Sequence, residues 1–166
     1  NLGHRQVVYL GPKESAVGEA RLKGLLSAKA EFPAVDFREL VGFADGYDRD
    51  AGYEAMLKIL GQGEPFTAVV VFNDAMAIGA LDALLDQGFA VPTDVSLLTF
   101  GNWFANMTRP KLTTVVNPYE ELAKEAVACL LERIRSNRLD SRQLCLFEPK
   151  LVIGASTQRP RASVAS

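Results

Sequence analysis

The stretch that decides the fold is residues 68–88, which read AVVVFNDAMAIGALDALLDQG. It opens with apolar, mostly β-branched residues without a charge, which predicts a buried strand over 68–72. Asn73 and Asp74 both suit the N-cap of a helix, and we expect Asp74 to supply the cap. The helix then continues to Gln87, and Gly88 ends it. Its apolar stripe at helical spacing consists of Ala77, Ala80, Leu81, Leu84 and Leu85.

The same alternation of strand and helix extends in both directions from this stretch. It predicts an α/β fold in which a mostly parallel sheet is flanked by helices. Further strands are expected at 6–10, 36–41, 95–100 and 112–116, with a terminal pair at 144–147 and 151–153. Further helices are expected at 15–30, 50–60 and 118–137.

The composition of the 166 residues is that of an ordinary globular domain, with 48% hydrophobic and 23% charged residues. Lys and Arg number 18 against 20 Asp and Glu, a formal net charge of −2. Proteins that grip duplex DNA usually present a basic face, so we do not expect direct DNA binding by these residues. No apolar run approaches the roughly 20 residues of a membrane-spanning helix. Since no initiator Met or signal peptide precedes the first strand, we expect a piece of a longer protein.

The sequence offers few groups for metal binding or covalent chemistry. His4 is the single histidine, and it has no cluster of cysteines or carboxylates at ligand spacing, so we expect no metal site. No Ser/His/Asp or Cys/His arrangement and no phosphate-binding glycine loop is found, so we expect neither an enzyme nor a cofactor. Cys129 and Cys145 leave two alternatives open: buried free thiols, which residue statistics favour, or one disulfide.

Ligands of open α/β sheets bind outside the carboxyl ends of the strands. The segments expected there are 12–15, 45–47, 73–74 and 101–104, which carry amide, hydroxyl, aromatic and carboxylate groups. Such groups suit a small polar ligand held between flat apolar walls. Because Asp74 is expected to cap its helix, Asn73 is the side chain left free for that ligand.

Several motifs occur together and in order along the chain. They are GHR at 3–5, RLKG at 21–24, FNDAMAIGAL at 72–81, VPTDVS at 91–96, LTTV at 112–115, LLERI at 130–134, and LV and ST within 151–157. Taken together they resemble the signature of the lactose/galactose repressor family of bacterial transcription regulators. The resemblance implies a periplasmic-binding-protein-like fold, in which two α/β lobes are hinged around a ligand cleft.

The resemblance also implies how the chain is divided. Residues 1–111 would form most of the C-terminal lobe, 112–143 the crossover and return helix of the N-terminal lobe, 144–157 the final strands, and 158–166 a tail. A DNA-binding helix-turn-helix and most of the N-terminal lobe would precede residue 1. The family further implies a cytoplasmic homodimer, away from membranes, that senses a small polar molecule such as a sugar. Operator DNA would be contacted through that helix-turn-helix alone.

Carried over position by position, the effector contacts of the family fall on Arg21, Tyr47, Asn73, Asn102 and Tyr119. Arg21 and Asn73 match side chains that hydrogen-bond the ligand, and the tyrosines match aromatic walls. The chain departs from the family at Gly101-Asn102, where two aspartates are usual, and at Gly154, where an arginine is usual. Gly101 has no carboxylate to accept bonds from sugar hydroxyls, so this departure argues against a simple sugar.

Two helices carry apolar surface that predicts contacts between copies of the chain. On the helix after Asn73, five residues lie off the core stripe and suit a close symmetric dimer contact: Ala75, Met76, Ile78, Gly79 and Asp82. The helix at 118–137 has two adjacent apolar rows, too wide for a helix lying loose in water. We expect it to pack against a second copy or to fold back onto its own sheet, and we favour the first.

Three functions compete at this point. The first is the effector-binding and dimerising part of a regulator, and the second is an exported solute-binding protein of a transport system on the same fold. The third is an α/β enzyme, for which no nucleophile, metal ligands or phosphate loop can be named. The VPTDVS and LTTV motifs favour the regulator.

Overall fold

A computed structural model of the chain describes residues 2–33, 36–101, 103–136 and 144–161, without the side chains at 29 and 36–42. Its strands are β1 (Gln6–Pro12), β2 (Asp36–Ala44), β3 (Ala68–Val71), β4 (Ser96–Phe100), β5 (Thr113–Val116) and β6 (Lys150–Val152). Its helices are α1 (Ala16–Glu31), α2 (Arg49–Gly61), α3 (Asp74–Asp86) and α4 (Tyr119–Ser136). The sheet has the order β2-β1-β3-β4-β5-β6, and all neighbouring pairs are parallel except β5 with β6. The predicted fold class is confirmed.

The core lies where the central strands meet α2 and α3. Val69 of β3 pairs in register with Val8 of β1 on one side and with Leu97 of β4 on the other, and all three are fully buried. Met56 of α2 and Leu84 of α3 belong to the same core cluster. The sequence of β3 is continuously apolar, as expected for a strand inside a parallel sheet that helices cover. Polar groups therefore emerge at the strand ends, where a ligand site can form.

Helices α2 and α3 touch backbone to backbone through two glycines. A Cβ atom added to Gly79 would lie 1.8 Å from the carbonyl oxygen of Arg49, and one added to Gly52 would lie 2.2 Å from that of Met76. Met76 is fully buried. The assignment of Met76 and Gly79 to a dimer face is therefore wrong, since these small and apolar positions form a helix contact within the chain.

Two predicted apolar elements differ in the structure. The strand expected at 144–147 is absent, because β5 pairs with Lys150–Val152 and no described strand adjoins the residues before them. Leu85, placed in the core stripe of α3, is 46% exposed. It stands in the last turn of the helix, close to where the chain turns away from the sheet.

Helix α4 has the predicted position but buries none of its residues. Ile134 is 67% exposed, and no other described helix or strand packs along α4. The alternative that α4 folds back onto its own sheet is therefore wrong, while packing against a second copy stays a prediction. None of the described helices, α4 included, is long and apolar enough to cross a membrane.

The exposure of α4 also explains why its cysteine is not fully buried. Cys129 lies on α4 and is half-buried, whereas Cys145 is exposed, and neither of them forms a disulfide. The expectation of buried thiols is wrong, because no helix or strand in the described part of the chain covers α4.

Hydrogen bonds fix the last described residues to the sheet. Ser96 Oγ donates to the carbonyl oxygen of Gln158 over 3.1 Å, and His4 Nε2 donates to the same oxygen over 2.8 Å. Arg161 forms an ion pair with Asp94 at 3.2 Å. The start of the segment that the sequence assigned to a tail therefore contacts the sheet, and His4 has a structural role.

Candidate functional site

A cavity of about 260 Å³ lies at the carboxyl ends of β3 and β4. Helix α1 borders it on one side, the first turn of α3 forms part of its floor, and the start of α4 closes another side. This is the edge of the sheet at which the sequence predicted a ligand. The residues lining the cavity are Arg21, Phe72, Asn73, Asp74, Ala75, Phe100, Gly101, Trp103, Phe104 and Tyr119.

Arg21 supplies the cation of this cavity and is held between two aromatic rings. Its guanidinium carbon lies 4.5 Å from the ring centroid of Phe72 and 4.4 Å from that of Phe100. Its Nη1 also donates a hydrogen bond to the carbonyl oxygen of Phe72. Burial lowers the pKa of Arg21, and the nearby Tyr9 and Tyr119 oppose that shift. Stacking fixes the plane of the guanidinium, so its free N–H groups are preorganised for an anionic or hydroxyl oxygen.

Asn73, predicted to be free for the ligand, is the N-cap of α3. Its Oδ1 accepts a hydrogen bond from the backbone N–H of Met76 over 2.8 Å. Its Nδ2 donates to the carbonyl oxygen of Tyr47 over 2.9 Å. The expectation that Asp74 caps this helix is therefore wrong. Asn73 borders the cavity, but a bond at each end of its amide ties it to the scaffold.

Asp74 is the cavity residue that the sequence reasoning missed. It is only 4% exposed, and its Oδ2 accepts from the backbone N–H groups of Trp103 and Phe104 over 2.9 and 3.1 Å. Its Oδ1 is buried and has no hydrogen-bond partner among the described residues. A buried acceptor without a partner is costly, so this oxygen needs a hydrogen-bond donor that the described residues do not supply. The adjacent Asn-Asp pair was the available signal, since only one of the two can cap α3.

The predicted aromatic walls fall in different places. Tyr119 lines the cavity and is half-exposed, whereas Tyr47 stands outside it with its ring edge against Phe72, at a centroid distance of 5.7 Å. The hydroxyl of Tyr47 donates to the carbonyl oxygen of Glu14 over 3.1 Å. Asn102 lies outside the described residues. The structure therefore gathers Arg21, Asn73 and Tyr119 around one cavity and leaves Tyr47 behind its wall.

Both departures from the family pattern sit where a side chain would collide with its surroundings. Gly101 has a φ of +134°, and an added Cβ would lie 3.0 Å from the carboxylate of Asp74. A Cβ at Gly154 would lie 2.5 Å from the backbone of Leu112. A side chain at Gly154 would require the backbone to shift, and one at Gly101 is disfavoured by its φ and by the nearby carboxylate. The charged residues that line the cavity in this structure are Arg21 and Asp74.

Comparison with known proteins places this arrangement in a family. The model of the periplasmic binding protein-like domain matches residues 1–157. The chain belongs to this family. The resemblance to LacI-type regulators is confirmed by relatives such as the HTH-type transcriptional regulator GalR of Escherichia coli K12, which is 36% identical over 160 residues.

Solved structures give the same relationship. A LacI-family transcriptional regulator from Sanguibacter keddieii is 34% identical, with a TM-score of 0.84. The match covers 93% of this chain and 59% of that regulator's chain. A complex of the transcriptional regulator CelR with cellobiose is 29% identical with a TM-score of 0.82, and covers 93% and 47%. The match to GalR covers 95% of this chain and 46% of GalR. The chain thus spans about half the length of these periplasmic binding protein-like relatives.

Proposed function

We propose that this chain is the effector-binding part of a DNA-binding transcriptional regulator of the LacI type. The observation that carries the proposal is the cavity, which is lined both by the stacked guanidinium of Arg21 and by Asp74, whose buried Oδ1 has no described partner. Known relatives of the same fold are transcriptional regulators, which favours this function over a solute-binding protein of a transport system.

The lining of the cavity defines the chemistry of the effector. Asp74 Oδ1 requires a hydrogen-bond donor, and Arg21 offers donors to an oxygen or an anion. Phe100 and Tyr119 supply flat apolar surface beside these groups. Since Asp74 supplies the carboxylate that Gly101 lacks, a small polar molecule with both hydroxyl groups and an apolar face, such as a sugar or a related metabolite, fits this combination.

The cavity is open on the side where Trp103 is 75% exposed. Ligand affinity depends on burying most of a small molecule, and one wall does not achieve this. We therefore assign the opposite wall to a part of the regulator outside the 166 residues. This chain should bind the effector far more weakly than the whole regulator does.

DNA contact is likewise assigned to a helix-turn-helix outside the chain, because the described surface belongs to a chain with a net charge of −2. We also assign a homodimer contact to the outer face of α3 around Ile78 and Asp82, whereas Ala75, which the sequence assigned to the same contact, lines the effector cavity. Ile78 is half-buried, and Asp82 is held by Arg49 over 2.7 Å.

Operator binding by the whole regulator tests this function. Mobility-shift assays with DNA from upstream of its gene should show a complex, and one member of a panel of sugars and polar metabolites should change its affinity. Asp74→Asn should abolish the effector response while leaving DNA binding intact, whereas Asp50→Asn on the exposed face of α2 should change neither. A regulator without affinity for DNA, or one whose response survives Asp74→Asn, would contradict the proposal.

A further inference from the structure

A second cluster of potential ligands lies on α4. Glu125 and Cys129 are separated by four residues and share one face of the helix, and Cys145 comes from the segment before β6. A carboxylate oxygen and the two sulfur atoms lie within 4.8 Å of one another. The Cys129 sulfur is 3.6 Å from Glu125 Oε1. None of these residues lines the effector cavity.

We propose that Glu125, Cys129 and Cys145 bind a divalent metal ion of the zinc class. Tetrahedral zinc holds sulfur at about 2.3 Å and carboxylate oxygen at about 2.1 Å, which places two sulfurs about 3.8 Å apart and sulfur and oxygen about 3.6 Å apart. The observed separation of Cys129 Sγ and Glu125 Oε1 is 3.6 Å. The cysteine sulfurs need to move by about 1 Å at most, which rotation about their side-chain bonds provides.

The chemistry of the three donors selects this class of ion. Two thiolates favour a borderline or soft ion such as Zn²⁺ over Mg²⁺ or Ca²⁺, which prefer oxygen ligands. A disulfide would use the two sulfurs alone and would require an oxidant, whereas a metal ion uses Glu125 as well. Three protein ligands leave a fourth position for water or a further ligand.

The cluster escaped the sequence reasoning because that reasoning looked for ligands around His4. Glu125 and Cys129 have helical spacing, but Cys145 follows 16 residues later in a segment outside the helix. A bound ion would join α4 to the residues that lead into β6. These two parts of the chain are otherwise exposed.

Titration of the reduced 166-residue chain with Co²⁺, and then displacement by Zn²⁺, tests the site. One equivalent of Co²⁺ should give the intense thiolate charge-transfer absorption, and one equivalent of Zn²⁺ should remove it and protect both thiols from alkylation. Cys129→Ser and Cys145→Ser should each abolish the band. Glu125→Gln should weaken binding by about tenfold or more, since even outer-shell partners of a metal contribute that much.

Glu121→Gln is the matched control, because Glu121 is an exposed carboxylate on the same helix outside the cluster. It should bind Co²⁺ as the parent chain does. Absence of the charge-transfer band in the parent, or equal Co²⁺ affinity in Cys145→Ser, would overturn the proposal. Loss of both thiols to a disulfide under reducing conditions would overturn it as well.

Discussion

At the scale of single residues, Asn73 and Asp74 have different roles, although either residue type could cap α3. Asn73 caps α3, and this frees the carboxylate of Asp74 to bind the backbone of the 103–104 loop and to face the cavity. Asn and Asp are about equally good N-caps, so the sequence does not show which one caps. Arg21 could be predicted because a family resemblance marks its position, whereas its aromatic partners Phe72 and Phe100 come together only in the folded sheet.

Replacing Asn73 with alanine tests its capping role. Asn73→Ala removes the acceptor for the N–H of Met76 and should lower the free energy of unfolding by about 1–2 kcal/mol. Both Asn73→Ala and Asn73→Ser lack the amide that donates to Tyr47. Since Asn73→Ser keeps a capping oxygen, it should lower the free energy of unfolding clearly less. Urea denaturation of both variants measures the difference. Equal losses would show that the Tyr47 bond, and not the cap, is what matters.

Tyr9 gives a prediction for alkaline pH. Burial raises its pKa from 10.0 to about 12, against the opposing effect of Arg21. Above pH 10 the unfolded chain releases this proton while the folded chain keeps it, so rising pH favours unfolding. The free energy of unfolding of the parent, relative to that of Tyr9→Phe, should be constant below pH 10 and should fall between pH 10 and about pH 12. A difference that does not change with pH, in denaturant melts of both chains, would contradict the buried neutral hydroxyl.

At the scale of elements, periodicity predicted the helices and central strands because each has one buried face or a continuous apolar run. It did not predict what covers each face. Small or apolar residues such as Gly79 and Met76 suit a close helix contact, but spacing alone does not distinguish a partner within the chain from a second copy. The same limit applies to α4, whose apolar rows are visible in the sequence and whose covering layer is not part of the described chain.

The contact between α2 and α3 can be tested at Gly79. Gly79→Ala places a Cβ 1.8 Å from the carbonyl oxygen of Arg49, which forces the helices apart and should cost about 3 kcal/mol or more. Gly24→Ala is the matched control, because Gly24 lies within α1 with open space around it. That variant should gain about 0.5–1 kcal/mol from higher helix propensity. Urea denaturation should therefore show a lower free energy of unfolding for Gly79→Ala and a higher one for Gly24→Ala. Stabilisation of both variants would contradict the backbone contact.

At the scale of the whole molecule, the alternation of strands and helices predicted a mostly parallel sheet with a ligand site at the carboxyl ends of its strands, but it did not predict the order of the strands. Of the two terminal strands that the sequence predicted, only the second is present, because residues 144–147 have no neighbouring described strand to pair with. Long-range partners of this kind are absent from local sequence patterns. Association between copies also belongs to this scale, because it depends on the surface left after α2 has covered part of α3.

The outer face of α3 is the predicted dimer contact, and Ile78→Glu tests it. A charge at this half-buried position should shift the chain towards monomer in sedimentation velocity experiments. Val127→Glu places the same charge on the exposed face of α4, which is the second face predicted to contact another copy of the chain. A chain that is dissociated by Val127→Glu but not by Ile78→Glu would assign the contact to α4 and remove α3 from the interface.

The central claim is that Asp74 Oδ1 and Arg21 form one effector site, and calorimetric titration tests it most directly. The effector found in the panel is titrated into the whole regulator and into its Asp74→Asn and Asp50→Asn variants. Asp74→Asn keeps an acceptor for the N–H groups of Trp103 and Phe104 but loses the charge, and should weaken binding by about 10- to 100-fold. Asp50→Asn should bind as the parent does. Equal affinity of the parent and Asp74→Asn would contradict the account.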